Sequence, residues 1–130
     1  MIQTSSIANL RHMQQDEIWL IVRSIGKAAS LLSRPDVRWV PDLSPSKNLF
    51  FAYLRWKKEG IWGPACFEER YKPQFLQEAD NPAFQQAFRE LLAADAAGKT
   101  ITLACFCPDE HLCHRSIVKE KIEQAKGAPL

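Results

Sequence analysis

The chain has 130 residues, of which 46% are apolar and 25% charged, and its net charge is +2. This length is enough for one globular domain that buries its own core without disulfides. The small charge does not by itself indicate a nucleic-acid or membrane partner, and no apolar run is long enough to span a bilayer. The first 15 residues lack the apolar region of a secretory signal, so we expect a cytoplasmic protein with four reduced cysteines.

The first predicted strand with a strong signal lies near the start of the chain. Residues 1–15 precede it and form either a short edge strand or a flexible tail. Residues 17–22 (EIWLIV) are densely apolar and partly β-branched, which predicts a buried strand. One or two helical turns over residues 28–32 and a short strand over residues 37–40 follow.

Two helices are predicted in the middle of the chain. Ser44 or Ser46 can cap a helix over residues 48–58 through its hydroxyl oxygen. Residues 62–78 predict a second helix, in which aromatic side chains recur on one face. Pro73 lies inside this second helix, so we expect a kink there.

The last third of the chain predicts a helix, a strand and a helix. Asn81 and Pro82 are typical of a helix start, and Gly98 is typical of its end. Residues 100–106 are too apolar for a half-exposed strand and predict a central one. A final helix is expected over residues 112–126. Because long helical crossovers join parallel strands, we predict a single α/β domain over residues 1–130, with a small, mainly parallel sheet flanked by helices.

The turn from the last strand into the last helix, residues 105–115, is the predicted functional site. Ligands bind at the carboxyl ends of parallel strands in open α/β sheets. His114 and Arg115 open the final helix, where the backbone already carries partial positive charge. Two cationic side chains at that end favour a bound anion, held by Arg115 and backbone amides.

The same turn holds candidate catalytic groups. A helix start beside histidine and arginine is expected to lower the pKa of the Cys113 thiol, which makes Cys113 a candidate nucleophile or metal ligand. His114 is a candidate general acid or base. Arg115 completes this catalytic set, although it can instead pair with Asp109 or Glu110.

Cys105 and Cys107 have two interpretations. They can be small buried side chains, since free cysteine is among the most buried residue types. They can also bind zinc together with Cys113 and either His111 or His114. The spacing lacks the two-residue gap of ordinary zinc knuckles, so our main expectation is that the protein has no metal or other cofactor, with a zinc or redox site as the alternative.

A second alternative is a nucleic-acid-binding module. Basic and aromatic side chains alternate in the first half of the chain, and such mixing can combine phosphate contacts with base stacking. The low net charge favours a different interpretation, in which the basic residues form a solvated helix face and the aromatic residues pack beneath it as core. The residues are Arg34, Arg38, Lys47, Arg55, Lys57 and Lys58, with Trp39, Phe50, Phe51, Tyr53 and Trp56.

Several motifs occur in a characteristic order. They are an apolar strand ending in Val22-Arg23 and then Gly26, the turn Leu43-Ser44-Pro45-Ser46 followed by Leu49, a helix with Trp62, Phe67, Arg70 and Tyr71, and a strand running into Cys113-His114-Arg115. In this order and spacing, the chain resembles the bacterial "domain of unknown function 488" family, particularly its short, single-domain branch.

The resemblance implies an α/β fold, cytoplasmic residence and no established reaction. It implies site roles for Arg23, Ser44, Ser46, Arg70, Tyr71, Cys113, His114 and Arg115. The short branch usually reads Arg-x-Trp-Pro-Arg-Gly after its first strand, whereas this chain has Arg-Ser-Ile-Gly-Lys from Arg23, so only Lys27 can replace the second arginine. We therefore expect a protein, and by preference an enzyme of unknown reaction, that takes a small phosphate- or nucleotide-like anion.

Overall fold

A four-stranded sheet organises residues 1–127, which are the residues that the computed structural model describes. The strands are β1 (Ile2–Ser6), β2 (Glu17–Leu20), β3 (Val37–Trp39) and β4 (Ile101–Cys105). They lie in the order β1-β4-β2-β3, and every neighbouring pair is parallel. The predicted single-domain α/β fold with a parallel sheet is confirmed.

The strand β4 occupies the centre of the sheet, as its apolar sequence predicted. All five of its residues are buried, and Ile101 lies opposite Ile2 on one side and Glu17 on the other. Residues 1–15 form the edge strand β1 and a 3-10 helix over Ile7–His12, which was the first of the two alternatives for this segment. β2 ends at Leu20, earlier than predicted, but the Ile21 N–H still donates to the Ala104 carbonyl.

Helices connect and cover the strands. The α-helices are α1 (Lys47–Lys58), α2 (Pro64–Cys66), α3 (Lys72–Glu78), α4 (Pro82–Ala96) and α5 (His114–Gly127). Further 3-10 helices span Gly26–Ser33, Pro41–Leu43 and Glu110–Leu112. Among residues 1–127, no helix has both the length and the apolar character needed to cross a membrane.

The helix starts follow capping chemistry. The Leu49 N–H donates to the Ser46 Oγ at 3.1 Å, so Ser46 rather than Ser44 caps α1. The Ala83 N–H donates to the Asn81 Oδ1 at 2.9 Å, which caps α4. Local hydrogen bonds of this kind are readable from the sequence, because donor and acceptor are only a few residues apart.

The predicted helix over residues 62–78 is not one regular helix. It consists of α2, a π-helical stretch over Phe67–Tyr71 and α3. Pro73 has no N–H to donate to the carbonyl four residues earlier, so the regular α-helical hydrogen-bond series is interrupted at this point. The chain accommodates the missing hydrogen bond by widening the turn just before the proline.

The last helix begins two residues later than predicted. The Asp109 carboxylate accepts the His111 N–H at 3.0 Å and caps the short 3-10 turn over Glu110–Leu112. Cys113 is then extended, with φ −129° and ψ 145°, and α5 starts at His114. This places the Cys113 side chain ahead of the helix rather than inside it.

The core has two parts, one on each face of the sheet. Trp19 and Ile21 point into the larger part, which the α-helices cover, while Ile18 and Leu20 point into the smaller part, which the first two 3-10 helices cover. Neighbouring residues of a strand point to opposite faces, and β2 is apolar on both because both faces are covered.

Candidate functional site

A pocket of about 550 Å³ lies at the carboxyl ends of β2 and β4. From β2 the chain continues towards β3, which lies at one edge of the sheet. The helix that follows β4, α5, packs instead against β1, which lies at the opposite edge. Connections that leave two neighbouring parallel strands in opposite directions open a crevice at that point. The volume lies within the range of small-molecule sites.

The lining of this pocket combines cations, aromatic rings and thiols. None of the described residues that line it is acidic. The cations are Arg23, Lys27 and Lys57, the aromatic residues are Phe50, Tyr53, Tyr71 and Phe106, and the thiols and imidazole belong to Cys105, Cys107, Cys113 and His114. The pocket therefore offers positive charge at its walls and reactive groups at its floor.

Arg23 is held at the pocket wall by a backbone carbonyl of the turn before α1. Its Nε donates to the Pro45 carbonyl at 2.5 Å, and within residues 1–127 its guanidinium makes no other hydrogen bond or ion pair. Lys27 lies in the same wall and is exposed. Arg23 and Lys27 thus leave charged N–H groups available to a ligand.

The other residues that the resemblance implied lie in different places. Tyr71 lines the pocket and stacks on Phe67, and burial raises the pKa of its phenol. Ser44 is buried and donates to the Pro41 carbonyl at 2.5 Å, outside the pocket lining. Ser46 caps α1, and Arg70 is exposed away from the pocket.

Two thiols and an imidazole converge at the pocket floor. The Sγ atoms of Cys105 and Cys113 are 2.8 Å apart, and the Cys113 Sγ is 3.6 Å from the His114 Nδ1. Cys105 and Cys113 come together because Cys105 ends β4 and Cys113 immediately precedes α5. Both thiols are free and almost fully buried from bulk solvent, but they border the pocket.

The protonation of His114 follows from its partner. Its Nε2 lies 2.6 Å from the Ile21 carbonyl oxygen, which can only accept, so the Nε2 carries the hydrogen. Burial lowers the pKa of His114, which keeps the ring neutral and leaves Nδ1 with a free lone pair. The expected pair of cations at the start of α5 is therefore reduced to Arg115 alone.

Arg115 supports the floor of the pocket from behind. It is 3% exposed, is not part of the pocket lining, and donates through Nη1 to the Cys107 carbonyl at 2.5 Å and to the Cys105 Sγ at 3.1 Å. It forms no ion pair with Asp109 or Glu110. Its Nε is buried and has no hydrogen-bond partner within residues 1–127.

The expected low pKa of Cys113 is wrong, because the thiol is buried. Burial raises the pKa of Cys113. The hydrogen bond between the Cys113 thiol and the Cys105 sulfur lowers the pKa of Cys105 to about 6. The guanidinium of Arg115 also favours the Cys105 thiolate. Arg115 therefore contacts a sulfur of its own chain on which negative charge is favoured.

Three side chains of the floor have the geometry to share a metal ion. The ligand atoms of Cys105, Cys113 and His114 all lie within 4.8 Å of one another. Of the two histidines offered as alternatives, His111 is exposed and lies outside this group. Cys107, which is partly buried, also lies outside it. Within the described residues, His114 is therefore the alternative that the geometry favours.

The residues of the nucleic-acid alternative are only partly available. Arg34, Arg38 and Arg55 pair with neighbouring carboxylates, and Trp56 is buried. Phe51 is 60% exposed on α1.

One face of α1 belongs to the pocket, which the sequence analysis did not predict. Phe50, Tyr53 and Lys57 line it together with Phe106. The first three residues are three and four positions apart and so share a helix face. That spacing was a readable signal, but the sequence did not show which sheet edge the face would meet.

The chain matches one family profile over residues 2–126. That profile describes DUF488-N3a as the active DUF488-N3 subclade. Comparison with curated proteins and with solved structures finds no match. Because the match covers nearly the whole chain, the protein belongs to the DUF488 family, as a single-domain member.

Proposed function

We propose that this protein is an enzyme that acts on a small anionic, nucleotide-like ligand in the pocket between β2 and β4. The observation that carries the proposal is the lining itself, which places three cationic side chains around aromatic walls and a thiol–imidazole floor without an acidic residue. Charge-assisted hydrogen bonds from arginine and lysine are the usual means of holding a phosphate or carboxylate.

The aromatic walls favour a ligand with a flat ring. Phe50, Tyr53, Tyr71 and Phe106 line the pocket beside the cations. Rings of this kind stack on nucleobases, and the cations would then hold the phosphate. In this proposal the anion is bound by Arg23, Lys27 and Lys57 instead of Arg115, which lies behind the floor.

The floor supports a catalytic role. The description of the matched subclade as active favours an enzyme over a binding protein. Cys105 is the nucleophile in this proposal, because the Arg115 Nη1 donates to its sulfur at 3.1 Å and its pKa is lowered to about 6, which favours the thiolate at neutral pH. The neutral His114 faces the Cys113 thiol with its Nδ1 lone pair at 3.6 Å, and Arg115 positions the Cys105 sulfur. A compartment that keeps thiols reduced, such as the cytoplasm, suits this chemistry.

Calorimetric titration tests the binding part of the proposal. We expect adenosine monophosphate to bind more tightly than adenosine or inorganic phosphate alone, because it engages both walls. Lys57→Ala should weaken binding by about tenfold, the effect of losing one charged contact of ~1.4 kcal/mol. Lys58→Ala is the matched control, since Lys58 is adjacent in sequence but outside the pocket.

Arg23 and Arg70 provide a second matched pair. Arg23→Ala should weaken nucleotide binding at least as much as Lys57→Ala, whereas Arg70→Ala should leave it unchanged. Equal effects of the two arginine substitutions, or binding of adenosine as tight as that of its monophosphate, would contradict the proposal. Melting temperatures of all variants show whether a loss of affinity reflects unfolding.

Single-stranded oligonucleotides are a further ligand to test in the same titration. Phe51 on α1 is the observation that favours them, because an exposed ring beside the pocket can stack on a base. Binding of an oligonucleotide that falls steeply with salt and is lost in Phe51→Ala, without binding of a mononucleotide, would replace the small-ligand proposal with nucleic-acid binding.

A further inference from the structure

The two thiols at the pocket floor are closer than unbonded sulfur atoms normally pack. The Cys105 and Cys113 Sγ atoms are 2.8 Å apart, and a disulfide needs about 2.05 Å. A closure of less than ~1 Å would therefore join them. The two residues are eight positions apart and are connected by an exposed turn through Pro108 and Asp109, which can absorb a movement of that size.

A shared metal ion fits the same atoms less well. Tetrahedral zinc with Zn–S bonds of ~2.3 Å holds two sulfur ligands about 3.8 Å apart, so this pair would have to open by about 1 Å. The guanidinium of Arg115 also donates to the Cys105 Sγ at 3.1 Å and would lie beside the added cation. The distance and the charge both favour a bond between the sulfurs.

We propose that Cys105 and Cys113 are a redox-active pair that forms a reversible disulfide at the pocket floor when the protein meets a peroxide. The proposal goes beyond the ligand-binding function and does not depend on it. Transient disulfides of this kind are the form in which oxidised cysteine pairs occur in reducing compartments.

The reaction has two balanced steps. The Cys105 thiolate attacks one oxygen of hydrogen peroxide, the O–O bond breaks, and the leaving hydroxide takes up the proton that Cys105 released, which gives water and a sulfenic acid. The Cys113 sulfur then attacks the Cys105 sulfur, the S–O bond breaks, and the hydroxyl leaves as water with the Cys113 proton. Two thiols lose two electrons, and one peroxide becomes two waters.

The environment assigns different roles to the two cysteines. Arg115 stabilises negative charge on Cys105, which makes it the attacking thiol. Cys113 contacts the His114 Nδ1 at 3.6 Å instead of the Arg115 guanidinium, and it acts second, as the resolving thiol. Both border the pocket, so a molecule as small as hydrogen peroxide reaches them although they are buried from bulk solvent. Disulfide formation would also remove the proposed nucleophile.

The test is to treat the reduced protein with hydrogen peroxide and to count the remaining free thiols. We expect the loss of two of the four thiols, a mass lower by two hydrogens, and full reversal by dithiothreitol. Cleavage after Glu110 separates Cys105 and Cys107 from Cys113, so the disulfide should hold the two fragments together until reduction. The proposal would be overturned if all four thiols remained at peroxide concentrations that oxidise free cysteine only slowly.

Serine variants identify the pair. Cys105→Ser and Cys113→Ser should form no disulfide, and Cys113→Ser should retain a Cys105 sulfenic acid that dimedone traps. Cys66→Ser and Cys107→Ser should behave like the parent protein. A disulfide that persists in Cys105→Ser and disappears in Cys107→Ser would assign the reaction to Cys107 and overturn the proposal.

Three further readouts separate the causes of failure. Melting temperatures of the reduced variants show whether each one is folded. A stoichiometric metal that survives purification and blocks peroxide oxidation until it is chelated would also overturn the redox assignment, in favour of a metal centre. Nucleotide affinity of the reduced protein is measured separately, so its failure would not be mistaken for failure of the disulfide.

Discussion

At the start of α5, the positive charge of Arg115 is balanced from within the chain. Its Nη1 donates to the Cys105 sulfur, and the lowered pKa of the Cys105 thiol favours the negatively charged form of that side chain. The sequence showed a surplus of positive charge at this point and correctly raised the question of its partner. It did not show that Cys105, ten positions away, is the partner, because that contact depends on where β4 ends relative to α5.

Ser46 links the start of α1 to Glu78 at the end of α3. Its Oγ accepts the Leu49 N–H at the start of α1 and donates to the Glu78 carboxylate, and its N–H donates to Glu78 at 2.8 Å. Ser46→Ala should lower the free energy of unfolding by about 1–2 kcal/mol, because it removes the helix cap and leaves Glu78 with one partner fewer.

Urea unfolding measures the effect of Ser46→Ala, with Ser30→Ala as the control on an exposed position. The control should change stability by less than about 0.5 kcal/mol. Nucleotide affinity should be the same in both variants. A large loss of affinity with normal stability in Ser46→Ala would show instead that Ser46 touches the ligand.

At the scale of secondary-structure elements, an ion pair fastens β2 to the segment that enters β4. The Lys99 Nζ lies 2.6 Å from the Glu17 carboxylate, which also accepts the Trp19 Nε1–H at 2.9 Å. The lysine first and the indole second lower the pKa of Glu17 below its ordinary value of 4.5. The two strands are thus tied at the edge of the sheet opposite the pocket.

The sign of the resulting pH dependence follows from that lowered pKa. The folded state prefers the ionised Glu17, so the stabilisation is complete above the unfolded-state pKa and is lost as the pH falls through the folded-state pKa. Glu17→Gln should cost roughly 0.5 kcal/mol at neutral pH, because Lys99 is half exposed and water screens the pair.

Urea unfolding at a series of pH values checks this prediction. The difference between the parent protein and Glu17→Gln should shrink towards zero in acid. Glu59→Gln is the control, since Glu59 pairs with Arg55 at 3.7 Å on an exposed helix and should show a smaller difference at every pH. A Glu17→Gln difference that stays constant from neutral pH into acid would disprove the ion-pair explanation.

At the scale of the whole molecule, β4 carries the core and positions the site. Leu103 in its middle is 0% exposed and lies opposite Thr4 and Trp19 of the neighbouring strands. Because both faces of the sheet are covered, neighbouring side chains cannot easily collapse into the cavity that truncation of Leu103 would leave. The same strand ends at Cys105, so the pocket floor inherits the rigidity of the core.

Leu103→Ala should therefore lower the free energy of unfolding by about 2–5 kcal/mol. Leu32→Ala, at a position that is 40% exposed, should change it by less than about 0.5 kcal/mol. Thermal and urea unfolding of both variants provide the comparison. Similar losses in the two would mean that the sheet interior does not dominate stability.

The amino-acid sequence by itself determined the local parts of this protein. Apolar runs gave β2 and β4, the caps at Ser46 and Asn81 gave the starts of α1 and α4, and the long helical crossover gave the parallel sheet. It also directed attention to residues 105–115. These features depend on neighbours a few positions apart or on average hydrophobicity, so a single sequence contains them.

Only the tertiary structure decided which groups meet in the pocket. It brought Arg23, Lys27 and one face of α1 to the ends of the central strands, left Arg70 outside, and placed His114 rather than His111 beside the thiols. It also raised the pKa of Cys113, which was expected to be low, and lowered the pKa of Cys105. Burial, and contacts between residues distant in sequence, control these outcomes, and both exist only once the sheet order β1-β4-β2-β3 has formed.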